Sequence, residues 1–202
     1  MNDKPQSAGE VEAPGLVARI KRALRGGPWS RDEIQTFIRS EAELDAEEKS
    51  MLFGVLEVSE TQVRDVMVPR SQMVVIDIGQ EFDDILSMII ESGHSRFPVI
   101  GEDRDEMLGI LLAKDLLRYF GSDMAKEGII RRLLRPAAVI PESKRLNALL
   151  KEFRSSHNHM AIVVDEYGGV AGLLTIEDVL EEIVGEIDDE HDPEEAVFIR
   201  PE

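Results

Sequence analysis

The sequence predicts an α+β fold made of two copies of one unit packed about a pseudo-twofold axis, with short helices ahead of them. Three observations carry this. His94 and His157, Gly109 and Gly172, and Asp115 and Asp178 each stand 63 residues apart. Apolar strand runs recur at that spacing, Phe97-Pro98-Val99-Ile100 answering to Met160-Ala161-Ile162-Val163. Upstream of each run lies a stripe with helical period: Phe82, Ile85, Leu86, Ile89 and Ile90 in the first copy, Leu146, Leu149, Leu150 and Phe153 in the second. Each unit therefore reads strand, helix, strand, strand, helix.

Taken in order, residues 1–14 are polar with Pro and Gly and read as a disordered tail. Leu16, Val17, Ile20 and Leu24, interleaved with Arg19, Lys21, Arg22 and Arg25, make a short basic amphipathic helix. Such a helix touches a membrane surface or a partner, or packs on its own domain; at this length the last is the commoner outcome. After the Gly26-Gly27-Pro28 break, Ser30 with Glu33 and Asp45 with Glu48 are two capping boxes, each opening a helix. The tail and these helices fill residues 1–60. Val66-Met67-Val68-Pro69-Arg70 is expected to be extended, since Pro69 disfavours helix in the residue before it. The first unit is assigned to 61–125 and the second to 126–186, leaving 187–202 as an acidic linker that runs into the short apolar stretch Val197-Phe198-Ile199. Residues 181–195 hold nine carboxylates and no Lys or Arg, which reads as a solvated linker; the spaced ligands and glycine of a calcium loop are missing.

Composition narrows the function. The net charge is −18, from 41 acidic and 23 basic residues, which opposes binding to a nucleic-acid backbone and repels a bare nucleotide at long range. Any phosphate-bearing ligand would therefore be expected to arrive with Mg²⁺ and to meet a local arginine. There is no cysteine, which excludes disulfides and thiolate metal sites. No stretch reads as a signal peptide or as an apolar span of about eighteen residues, so a soluble, cytoplasmic chain is expected. Neither a phosphate-binding Walker loop nor a nucleophile elbow is seen, and no enzyme activity is expected.

Gly172-Leu173-Leu174-Thr175-Ile176-Glu177-Asp178 reads as a strand end, a tight turn and a helix start, with Thr175 as N-cap and Asp178 three residues on. Alone, Thr-x-x-Asp is usually only a capping box. With exposed helix amides it also suits a phosphate or a sugar. The earlier copy keeps Asp115 but has Leu112 where Thr175 stands, and leucine neither caps nor donates; Lys114 is the expected partner of Asp115. Arg96 precedes a strand, where a guanidinium pairs bidentately with phosphate or simply with a neighbouring carboxylate. His157 and His159 would share one face of a strand, but with no third ligand evident no metal site is assigned.

The stretches Arg64-Asp65-Val66-Met67-Val68-Pro69-Arg70, Ser92-Gly93-His94-Ser95-Arg96-Phe97-Pro98-Val99-Ile100 and Asp165-Glu166-Tyr167-Gly168-Gly169, with the 172–183 segment, resemble a tandem CBS-domain pair, or Bateman module. They are most similar to the CorC/HlyC magnesium and cobalt efflux proteins, relatives of the CNNM transporters. The resemblance covers roughly residues 40–192. It implies a regulatory module that binds ATP or AMP, with Mg²⁺, and forms a twofold dimer. It also implies association with ion efflux, a membrane transporter partner at the inner face of the plasma membrane, and a further C-terminal domain whose truncated start falls within residues 187–202. By resemblance the nucleotide is held by Thr175 and Asp178 from the second repeat and by Arg70, Ser95, Arg96, Phe97 and Pro98 from the first, Phe97 lying against the base. Two other readings remain: a dimerising scaffold that binds no nucleotide, and an accessory protein acting on RNA or ribosomes.

Overall fold

The computed structural model describes residues 29–40, 43–119 and 128–185. The tail, the basic helix at residues 16–25 and the linker at 187–202 lie outside the described residues. The chain divides into two compact units between Phe53 and Gly54. In the first, Ser30 and Glu33 form the expected capping box and start α1 (Arg31–Ser40), with the Trp29 and Phe37 rings edge-on at 5.4 Å. Asp45 and Glu48 do the same for α2 (Ala46–Glu57), which runs on into the second unit.

The second unit continues with a helical turn α3 (Val63–Val66), a two-residue strand β1 (Val68–Pro69) and a 3₁₀ turn at Arg70–Gln72. Val66 ends α3 and Arg70 begins the 3₁₀ turn, so the extended conformation expected for residues 66–70 holds for Met67–Pro69. The first repeat is β2 (Ile76–Asp77), α4 (Phe82–Ser92), β3 (Arg96–Ile100), β4 (Met107–Leu112) and α5 (Ala113–Leu116). After α6 (Ile129–Leu133) the second repeats the order with β5 (Ala138–Pro141), α7 (Leu146–Ser156), β6 (Met160–Val164), β7 (Val170–Thr175) and α8 (Ile176–Val184). The mixed α/β architecture with two repeated units is the one expected from the sequence. Among the described residues no helix is long and apolar enough to cross a membrane.

The sheets show how the repeats are tied. The first is ordered β2-β3-β4 and the second β1-β7-β6-β5, so β1, ahead of the first repeat, is a strand of the second repeat's sheet. Val68 pairs antiparallel with Leu173, while Arg135, ahead of the second repeat, bridges back to Ile110 in β4. The exchange is reciprocal and requires two glycines. A Cβ at Gly172 would overlap the Val68 carbonyl, and one at Gly109 would lie 2.6 Å from the Arg135 carbonyl oxygen. Gly109 also takes a φ of 154°, which side chains rarely adopt. The repeat glycines seen in the sequence mark these crossings.

Each repeat has its own core. Phe97, Ile76, Ile85, Val99 and Leu111 are fully buried in the first, and Leu146, Leu149, Val163, Leu174 and Val179 in or next to full burial in the second. Each such side chain stabilises the fold by about 1.5–3 kcal/mol before entropy is counted. Met73, Ile110, Met160, Ile162 and Leu173 form a third cluster that joins the two repeats.

The repeat spacing shifts part-way along. Arg96 pairs with Leu112 and Met160 with Thr175, so Arg96 answers to Met160, 64 residues on, while β4 answers to β7 at 63. The turn after β3 is one residue longer than the turn after β6. The sequence alignment of Phe97 with Met160 is therefore off by one; Phe97 answers to Ala161.

Candidate functional site

A cavity of about 390 Å³ opens where segments of both repeats converge. The second repeat contributes the end of β7 and the first turn of α8, with Leu173, Thr175, Glu177 and Asp178 on its wall. The first contributes the α4–β3 junction, with His94, Ser95 and Arg96. This junction turns sharply because Gly93, at φ 68°, ends α4 in the left-handed conformation. The arm at 68–74 closes the cavity with the apolar side chains of Val68, Met73 and Val74 and the amide of Gln72.

The capping box at Thr175 is formed. The Thr175 N–H donates to Asp178 Oδ2 at 2.7 Å and the Asp178 N–H donates to Thr175 Oγ1 at 3.2 Å. Capping and ligand binding do not compete here. The box consumes one acceptor position of the hydroxyl oxygen and one carboxylate oxygen, leaving the hydroxyl proton and Asp178 Oδ1 for a ligand. Both side chains are half-buried, which strengthens any hydrogen bond they make.

Arg96 is held loosely. Its Nη1 lies 3.5 Å from Glu177 Oε1, and His159 Nδ1 lies 3.8 Å from the same oxygen, both longer than a charge-assisted hydrogen bond. A phosphate can therefore take the guanidinium without breaking a tight pair. Glu177 was not singled out from the sequence, although its place between the cap and Asp178 puts it at the cavity mouth.

Four of the seven residues expected to hold a ligand, Ser95, Arg96, Thr175 and Asp178, line this cavity; Arg70, Phe97 and Pro98 do not. Phe97 is fully buried in the first repeat's core, so its ring offers no face to a base. Pro98 is buried beside it in β3, the central strand of its sheet. Arg70 points to Asp105, making two hydrogen bonds of 2.5 and 3.0 Å. The Asp105 carboxyl is held below its ordinary range, first by the Arg70 hydrogen bonds and then by the Val170 N–H, which donates to it at 2.9 Å.

The counterpart cavity differs in size and chemistry. It measures about 200 Å³ and presents Leu112, Lys114, Arg135, His157 and His159. Leu112 supplies neither a cap nor a hydroxyl, and Asp115 is paired to Arg135 at 2.8 Å rather than to the expected Lys114. His157 is not on a strand: it ends α7 with φ 56°, so the two imidazoles do not share a strand face. Among the described residues no group of three or more His, Asp or Glu is placed to hold a metal ion.

Two reciprocally paired strand–helix–strand–strand–helix repeats define the class, a tandem pair of CBS domains, and the chain matches the CBS domain family over residues 63–122 and 129–185. It is 50% identical over 201 residues to the "Magnesium and cobalt efflux protein CorC" of Vibrio cholerae, covering 98% of this chain and 69% of that one. Among solved structures, the CBS domain of a bacterial CNNM/CorC family Mg²⁺ transporter in complex with ATP is 45% identical, covering 69% of this chain and 99% of that one at a TM-score of 0.66. A CBS-domain pair with bound AMP from Klebsiella pneumoniae is 32% identical, covering 62% and 99%, at a TM-score of 0.56. The chain belongs to the CorC family of magnesium and cobalt efflux proteins. It spans 60 to 69% of the length of the curated relatives it matches.

Proposed function

We propose that the chain is a regulatory module that binds one adenine nucleotide, ATP or AMP, between its repeats and takes part in magnesium or cobalt efflux through a transporter at the inner face of the plasma membrane. The observation that carries this is the convergence of Thr175, Asp178, Ser95 and Arg96 on one cavity that also has an apolar wall of Val68, Met73, Val74, Met160 and Leu173. Asp178 Oδ1 accepts from ribose hydroxyls, the Thr175 hydroxyl and Arg96 donate to phosphate, and the Met73, Val74 and Leu173 side chains suit the flat base. The same cavity carries Glu177 and Asp178, and their charge opposes a bare triphosphate. Mg²⁺ bound to the phosphates offsets that repulsion.

A homodimer belongs to the same reading. The helices that end the repeats carry the apolar runs Leu116-Leu117 and Val179-Leu180-Ile183, of which Leu116 and Val179 are core residues. Leu117 and Leu180 of these runs are exposed, as are Ile90 on α4 and Val184 at the end of α8; Ile90 and Leu117 are 67% and 71% exposed. Pairing of two copies through these side chains turns a nucleotide-dependent shift between repeats into a change in the relative placement of two modules. Isothermal titration with ATP and with AMP, each with and without Mg²⁺, tests the proposal. One site per chain is expected; absence of binding by either nucleotide up to millimolar concentration refutes it in favour of a non-binding scaffold.

A further inference from the structure

The Arg70–Asp105 pair joins three segments that are far apart in sequence. Arg70 belongs to the arm that closes the cavity, Asp105 to the turn between β3 and β4, and Val170 to the start of β7 in the other repeat. The guanidinium spans the carboxylate with two hydrogen bonds, and its Nη1 lies 3.4 Å from the Val170 carbonyl oxygen. The Val170 N–H donates back to Asp105, and Arg104 Nη1 reaches the Arg70 carbonyl oxygen at 3.4 Å. Beyond the Arg70 turn, Met73 is anchored in the cluster between repeats.

The pseudo-symmetric position has none of this. Val68 answers to Arg135 through the reciprocal strand exchange, so Arg70 answers to Ala137, which has no charge to latch. The second repeat's turn is closed on itself, Asp165 accepting from the N–H groups of Tyr167 and Gly169 at 2.9 Å each. The Arg70 arm walls the cavity that holds Thr175 and Asp178, whereas the other linker, tied to the first repeat by the Arg135 pair to Asp115 and the bridge to Ile110 and not to the hairpin turn, walls the smaller one with Arg135 and Pro136.

We infer that Arg70 and Asp105 form a latch that fixes the arm at 68–74 against both repeats, and that Arg70 is a positioning residue for the ligand cavity rather than a ligand contact. This rests on the proposed nucleotide reading for its effect on binding, but the latch itself is testable without ligand. A guanidinium already satisfied by a bidentate carboxylate has little to offer a phosphate outside its reach. What it supplies is a preformed wall, so that binding need not order the arm.

The experiment is a double-mutant cycle on the full chain, with Arg70→Ala, Asp105→Ala and the pair, each checked for native circular dichroism. Mg-ATP titration and amide hydrogen exchange are both read. The two single variants are expected to weaken binding equally, by about three- to tenfold, with the double variant no weaker than either. Arg70→Lys, which keeps one charged hydrogen bond, falls between. Without nucleotide, exchange at Val170 and through 68–73 speeds up in Asp105→Ala and in the isosteric Asp105→Asn. The latch is overturned if exchange in the asparagine variant is unchanged. The positioning role is overturned if Arg70→Ala weakens binding while Asp105→Ala does not, which makes Arg70 a ligand contact, or if the two losses add. If the wild type binds no nucleotide while the exchange difference stands, the nucleotide reading falls and the latch is upheld.

Discussion

Replacing the two repeat-related aspartates separates a binding role from a capping role. Asp178→Ala removes the acceptor 2.7 Å from the Thr175 N–H, so half of a capping box is lost, which costs about 0.5–2 kcal/mol of stability. It also removes the free Oδ1 from the cavity wall. If that oxygen holds a ribose or charged group, binding loses a further 1.5–3 kcal/mol, about ten- to a hundredfold in affinity. Asp45→Ala removes the other half, the N-cap side chain, of a capping box with distances of 2.8 and 2.9 Å that does not line the cavity. It is expected to lower stability comparably and leave affinity alone. In Asp115→Ala a pair whose Arg135 side chain is 56% exposed is lost, worth about 0.2–1 kcal/mol of stability, and nucleotide affinity stays within about twofold. Urea denaturation and Mg-ATP titration on the three variants read both quantities. The reasoning is refuted if Asp115→Ala weakens binding as much as Asp178→Ala, or if Asp45→Ala does.

Three other outcomes are expected. Asp105 has its pKa lowered below 3.8 in the folded chain, so its pairing stabilises the fold fully above that value and the contribution is lost as pH falls through the lowered pKa; the gap in urea midpoint between wild type and Asp105→Asn should be constant near neutrality, close in strong acid, and discredit the pairing if it is absent at neutral pH. Affinity for ATP should fall when divalent ions are chelated, because Glu177 and Asp178 put negative charge on the cavity wall; equal affinity with and without chelator contradicts that electrostatic account. Leu117→Glu should shift the mass measured by light scattering from dimer to monomer, since Leu117 is 71% exposed and its replacement leaves the core intact; a wild type that stays monomeric up to millimolar concentration removes the dimer.

The order of elements was legible because each rests on local signals: apolar period for α4 and α7, and side-chain caps for α1, α2 and α8. The pairing of β1 with β7 was not, since nothing near Val68 or Pro69 records which sheet the strand joins. Gly109 and Gly172 were visible as repeat markers, but their cause, the close approach of a carbonyl from the other repeat's arm, is a tertiary fact. The one-residue difference between the hairpin turns hid the match of Arg96 to Met160 behind an otherwise clean 63-residue spacing. Phe97 is where sequence reasoning about the candidate site most clearly failed: next to Arg96 in the motif, it faces the opposite side of a strand and enters the core. The partners of Arg70 and Asp115 lie 35 and 20 residues away, and local charge neighbours such as Lys114 gave no clue to them.

The central claim is one nucleotide in the larger cavity, and amide chemical shifts followed during titration of isotope-labelled chain with Mg-ATP test it most directly. The account predicts saturation at one nucleotide per chain, with shifts concentrated at Ser95, Arg96 and residues 175–178, and little change at 112–115. Saturation at two per chain with equal shifts in both cavities, or no shift at Thr175 and Asp178 under binding conditions, would contradict it.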